Sequence, residues 1–359
     1  MVTGNATLKN MLPAGCKTWG SLGVILLVLL PAVLPLSAFR FYIYLASVIL
    51  LYGLAATSCN LALGYGGIYQ FHHAVFYGAG AYGTALAITR MDISPWIAFL
   101  CGPVVSALLA LIMGLVCIRL SKLYFGMLQI SLGSLVWAVV YRWYSFTGGD
   151  DGIQGIPVPD ILASARGAYY FVLAVAGISF FALYRIIKSP FGIALQGIRD
   201  NPVRSEMIGI NVMAHQLVTL VIAGFFAGVA GVLFVVVDNT VFPDMLFWTL
   251  SMELIIMCLL GGMYNFFGPL TGAAIVIFIR TFAGSFVEFL TSSAIGLFGG
   301  AISESAADSL MAVAASFSSY WTLVLGVICI LVIFFVPNGV LGFFDRLKQK
   351  GREAVAVGE

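Results

Sequence analysis

Few residues able to do chemistry fall inside apolar sequence. Tyr69, Gln70, His72 and His73 lead into a glycine-rich apolar run at 74–87. Glu253 lies inside a second apolar run and Arg280 inside a third. Polar groups are costly in hydrocarbon, so such residues are candidates for a substrate path, a proton relay or a buried pair. Gly78, Gly80 and Gly83 let a neighbouring backbone come close or let the helix break, and an unwound end offers N–H groups to a carboxylate. The plainer reading is that the two histidines cap a helix at the inner interface. Glu253 and Arg280 fall near the middle of adjacent apolar runs. A lone charge there costs on the order of 3 kcal/mol or more, which favours a structural ion pair over direct substrate contact. The third histidine, His215, completes no Ser/His/Asp or Cys/His arrangement. The chain has no GxxxxGKS/T loop, so it is not expected to hydrolyse ATP itself. The six cysteines lie singly, without metal-ligand spacing, and read as small buried hydrophobes.

These groups must be positioned by membrane helices. The 359 residues are 61% hydrophobic and only 9% charged, against about 25% charged in soluble domains. Such a chain cannot cover a water-facing surface. Its apolar runs predict an all-α polytopic membrane protein of about ten transmembrane helices, at 21–39, 41–63, 71–89, 95–118, 124–144, 169–187, 216–237, 245–263, 268–290 and 320–337. The first is read as an uncleaved span rather than a signal peptide. The span at 71–89 is glycine-rich, polar at its start, and expected to be broken or partly re-entrant.

Charge placement orients the spans. With the N-terminus inside, the inner loops and termini hold Lys9, Lys17, Arg119, Lys122, Arg185, Lys188, Arg199, Arg204, Arg346, Lys348, Lys350 and Arg352, which is twelve of 17 basic residues. Four, Arg40, Arg90, Arg142 and Arg166, fall outside. That asymmetry places both termini and the loop at 189–215 in the cytoplasm. The outer loop at 145–168 contains a turn-forming acidic stretch, residues 147–157, expected to be flexible and exposed. A short repeat, Gly66-Gly67-Ile68-Tyr69-Gln70-Phe71 and Gly261-Gly262-Met263-Tyr264-Asn265-Phe266, hints at an internal duplication with a site near the repeat interface. The small-xxx-small spacing of Gly224, Ala227, Gly228 and Gly231 predicts close internal helix packing.

The long polar interval 189–216 reads as two short helices. Ile193, Leu195 and Ile198 give the first an apolar side. Asn201 is a good N-cap, Pro202 fits the first helical position, and Gly209 can close the second helix in the left-handed conformation. This capped helix of about two turns carries Arg199, Asp200, Arg204 and Glu206 at or beside it. Such an element suits either a lever pushed by a soluble motor or a loop packed on the membrane surface.

Several stretches resemble the permease subunits of branched-chain amino acid ABC transporters, the LivM type. They are Leu61-Ala62-Leu63-Gly64-Tyr65-Gly66-Gly67 running into 73–82; residues 147–157; residues 189–212; Gly261-Gly262 with Gly268-Pro269; and Val336-Pro337-Asn338-Gly339-Val340. They keep the family's order across most of the chain. The resemblance implies one transmembrane permease domain over 1–359, importing branched-chain or other hydrophobic amino acids. It implies a second permease of the LivH type, two cytoplasmic ATPase subunits that bind ATP and Mg, and an extracytoplasmic solute-binding protein. It aligns the family's ATPase-coupling element with 191–212, hence Arg199, Asp200, Asn201, Pro202, Arg204, Glu206 and Gly209. The chain departs from the pattern at Phe71-His72-His73, where the family has Leu-Gly-His. It departs again at 201–205, where an acidic, alanine-rich run is usual. Similar permeases move urea, short amides or small organic acids. The rival readings are a proton-coupled secondary transporter using His72, His73 and Glu253, and a scaffold or receptor that transports nothing.

Overall fold

The computed structural model describes residues 39–120, 122–282, 326 and 339–340. The expected spans at 21–39 and 320–337 fall almost wholly outside these residues, as does the end of 268–290. Within them the chain is an all-α multi-pass membrane protein. Helix α1 runs Phe39–Asn60 and continues into a π-helical turn, Leu61–Tyr65. It is followed by α2 (Ala74–Thr89), α3 (Pro95–Cys117), α4 (Lys122–Arg142) and α5 (Ala165–Ile187). Two short helices, α6 (Pro190–Asp200) and α7 (Pro202–Met207), lead to α8 (Val212–Asp238), α9 (Trp248–Gly261) and α10 (Gly268–Phe282). Among the described residues, five helices are long and apolar enough to cross a membrane: α1 with its π turn, α3, the 124–142 part of α4, α5 and α8.

Local sequence sets the helix starts. Ser164 caps α5 by accepting from the Gly167 amide, and Asn211 caps α8 by accepting from the Ala214 amide at 3.0 Å. Pro95 fills the first turn of α3. Two expected spans are shorter than anticipated. The apolar run at 245–263 is interrupted by extended Phe247, so α9 has only 14 residues. That is about 21 Å of helix against about 30 Å of hydrocarbon. The run at 71–89 becomes helical only from Ala74. The broken entry expected there is present: residues 66–73 are mostly non-helical, with Gly67 at φ +64°.

The core is the trio α2, α3 and α8. Thirteen of the 16 residues of α2 are buried. A Cβ at Gly80 would collide with the Gly228 backbone, and one at Gly231 with the Tyr77 carbonyl. The small residues of α8 therefore serve internal packing, as their spacing predicts. Ser106 on α3 places Oγ 2.7 Å from the Phe76 carbonyl and 2.6 Å from that of Gly224, tying all three helices with one hydroxyl.

The stretch at 147–157 differs from the flexible loop expected of it. Ile153–Gln154 (β1) pairs antiparallel with Thr240–Val241 (β2), and the Ile156 amide donates to the Asn239 carbonyl at 3.0 Å. Gly148, Gly149, Gly152 and Gly155 all take positive φ. The Thr147 hydroxyl bonds back to the Val140 and Trp143 carbonyls. Turn-forming residues here fold the loop against the bundle instead of leaving it free.

Candidate functional site

The polar residues of the 66–73 entry converge with four other elements. Gln70, His72 and His73 are fully buried. His73 Nε2 lies 2.9 Å from Ser58 Oγ on α1. The Ala74 amide donates to Ser251 Oγ on α9 at 2.8 Å, so the first turns of α2 and α9 meet inside the protein. Gly126 and Gly133 of α4 make room for the rings of Phe71 and His72. Gln129, between those glycines on the same face, is also buried. Both polar atoms of Gln70, both ring nitrogens of His72, His73 Nδ1 and Gln129 Oε1 have no hydrogen-bond partner among the described residues. Orphaned buried polar groups cost about 1–3 kcal/mol each, which makes this cluster a candidate for holding a polar ligand group.

Two sequence expectations change here. The first-turn amides of α2 are occupied: Val75 and Phe76 donate to the His72 and His73 carbonyls, and Ala74 to Ser251. Free N–H groups for a carboxylate are thus not what this entry presents; side chains are. Tyr69 stands apart, half exposed and stacked on Phe71. Gln129 escaped sequence reading. The available signal was a lone amide within an apolar helix.

Glu253 faces α10 rather than the histidines. Its carboxylate lies 3.8 Å from Arg280 Nη1, with side-chain exposures of 20% and 47%. The expected ion pair is present, at a separation too long for a hydrogen bond.

At the opposite end of the bundle from β1 and β2, the interval 189–216 folds as its caps predict. Ser189 caps α6 and Asn201 Oδ1 caps α7, accepting from the Arg204 amide at 3.0 Å. Pro202 occupies the first turn and Gly209 closes the unit at φ +89°. Leu195 and Ile198 are buried, but Ile193 is not. Val203, Met207 and Ile208 are exposed, the last two at 82% and 73%, beside exposed Arg204 and Glu206. Arg199 turns the other way. Its guanidinium donates to the Gly64 carbonyl at 2.8 Å, holds Asp200 at 2.9 Å, and lies 5.5 Å from the centre of the Tyr264 ring.

Residues 41–333 match the family described as branched-chain amino acid transport system / permease component. The chain belongs to this family. As a permease it is similar to the high-affinity branched-chain amino acid transport permease LivM of Salmonella typhimurium. The identity is 23% over 310 residues, covering 78% of this chain and 73% of the relative. The Escherichia coli LivM protein matches at the same identity and coverage. A guanosine ABC transporter permease, NupQ of Bacillus subtilis, is 29% identical over 80 residues, 22% of this chain and 25% of the relative. No solved structure matches. The permease is a transport component rather than an enzyme, from a family that works with separate ATPase and binding-protein subunits. On its other end, the Tyr144 hydroxyl donates to Asp151 at 2.7 Å, and that bond and charge hold the phenol above its ordinary pKa.

Proposed function

We propose that this permease imports branched-chain or other hydrophobic amino acids across the cell inner membrane. Its expected partners are a second permease of the LivH type, two cytoplasmic ATPases and an extracytoplasmic binding protein. On this reading 1–359 is one transmembrane domain with both termini in the cytoplasm. Residues 189–215 form the inner coupling loop and 145–168 an outer loop. The family match over 41–333 carries the reading. Supporting it is α7, a capped helix whose apolar tip of Val203, Met207 and Ile208 has no packed partner among the described residues. An apolar tip rimmed by Arg204 and Glu206 has the composition of a small protein interface. Motion of α7 passes to α5, which ends at Ile187, and to α8, which begins at Val212. Packed helices respond by switching between discrete arrangements. Gln70, His72, His73 and Gln129 are the groups we place along the substrate path; ATP and Mg would bind the partner ATPases.

Replacing Met207 and Ile208 together by Asp should weaken ATPase association at least tenfold, as loss of a central interface anchor of about 1.4 kcal/mol or more does. Co-purification, and ATP-dependent leucine uptake by the complex in liposomes, measure it. Undiminished ATPase binding would refute the docking role. Uptake of a nucleoside or urea in place of leucine would reassign the substrate. Uptake by this chain alone under a pH gradient would favour proton coupling.

A further inference from the structure

Arg199 ends its helix in contact with both copies of the glycine–tyrosine repeat. Its Nη1 donates to the carbonyl of Gly64, in the π turn that closes α1. Its stem fills the space left by Gly67, where φ is +64° and an added Cβ would stand 2.8 Å from Arg199 Cγ. Its guanidinium stacks toward Tyr264 of the second loop, 5.5 Å from the ring centre. Asp200 neutralises the same guanidinium through Nε and Nη2. The end of α1 also touches the second loop directly, Asn60 Nδ2 donating to the Met263 carbonyl at 3.0 Å. One arginine therefore joins the α6–α7 junction to the segments that open α2 and α10.

We infer that Arg199 is a positioning residue that carries displacement of α7 to both repeat loops at once, so that the inner ends of α2 and α10 move together. This rests on α7 being the ATPase-docking element. The choice of arginine follows from the geometry. A planar guanidinium can bond a carbonyl and a carboxylate at its edge while offering a face to Tyr264; the compact ammonium of lysine cannot do all three. Tyr69, the counterpart of Tyr264 in the first loop, stacks on Phe71, so the two copies are used unequally.

The test uses the assembled complex with its ATPases, carrying spin-label pairs that read each loop against exposed Tyr124 of α4: Tyr69→Cys with Tyr124→Cys, and Phe267→Cys with Tyr124→Cys. The separation within each pair is read by electron paramagnetic resonance before and after ATP with vanadate. The unsubstituted junction should show a shift in both pairs on ATP addition. Arg199→Gln and Tyr264→Leu should each abolish it with the ATPases still bound, and the double variant should be no worse. Tyr264→Phe, which keeps the ring, should restore it, whereas Arg199→Lys should not. A shift that persists in Arg199→Gln, or none in the unsubstituted complex, overturns the inference. Loss of ATPase binding in Arg199→Gln and Tyr264→Leu also overturns it, reducing Arg199 to a static support. Failure of the docking reading itself looks different: ATPases that bind the Met207/Ile208 Asp variant as well as the parent.

Discussion

Gly231 carries a hydrogen where the backbone of α2 passes, and the Tyr77 carbonyl has no room to retreat because Ser106 fixes the neighbouring turn. Gly231→Ala should therefore destabilise the permease by about 1–3 kcal/mol or more, as overpacking against backbone does. Gly177 on α5 is exposed and has nothing within 4 Å of an added Cβ. Gly177→Ala should be neutral or stabilise by up to about 1 kcal/mol. Thermal unfolding of the two variants in detergent compares them directly, and equal melting temperatures would contradict the packing described. At this scale sequence revealed Gln70, His72 and His73 because polar residues stand out against an apolar background. It could not reveal the direction of Arg199, since a charge on an amphipathic helix faces inward or outward according to tertiary neighbours.

The elements follow local rules where caps are present. Asn201, Pro202 and Gly209 announce α7 and its closure, and the structure keeps all three roles. The outer loop follows no such local signal. A two-residue strand leaves no periodicity, and β1 finds β2 some 90 residues further on, so the pairing depends on the whole bundle. Gly152 is its pivot: φ +66° and ψ −160° suit glycine alone, and a Cβ would strike the Val241 carbonyl. Gly155 also has positive φ but open space around it. Gly152→Ala should free residues 148–156 from 239–241, raising amide exchange at Ile153 and Val241 to that of an open loop. Gly155→Ala should cost only about 1–2 kcal/mol of local conformational strain. Matched exchange in the two variants would argue against the pivot. The shortening of α9 was hidden for a related reason, since Phe247 is as apolar as its neighbours and hydropathy does not register a break in dihedral angles.

For the whole molecule, the geometry separates two ends, and charge sorting predicts which of them faces the cytoplasm. Arg199, Gly64, Tyr264 and Gly339, which abuts Gly262, gather at one end. Arg90, which donates to the Phe146 carbonyl, lies at the other with β1 and β2. Cysteines placed at Met207 and Gln154 should thus react with a membrane-impermeant maleimide from opposite faces, Met207→Cys only in inverted vesicles. Labelling of both from one face would break the orientation. The all-α, multi-pass character was legible because helix length and apolarity are set by the bilayer itself. The meeting of α2 and α9 inside the bundle was not, because it is written in contacts between residues far apart in the chain.

The enclosure of α2 has a consequence for biogenesis. A helix buried on 13 of 16 positions offers almost no surface for lipid to greet. Its permanent companions include α8, which ends at Asp238 and is synthesised some 150 residues later. During translation α2 must wait among provisional neighbours, and the order in which the nascent chain leaves the ribosome becomes part of what makes this protein fold.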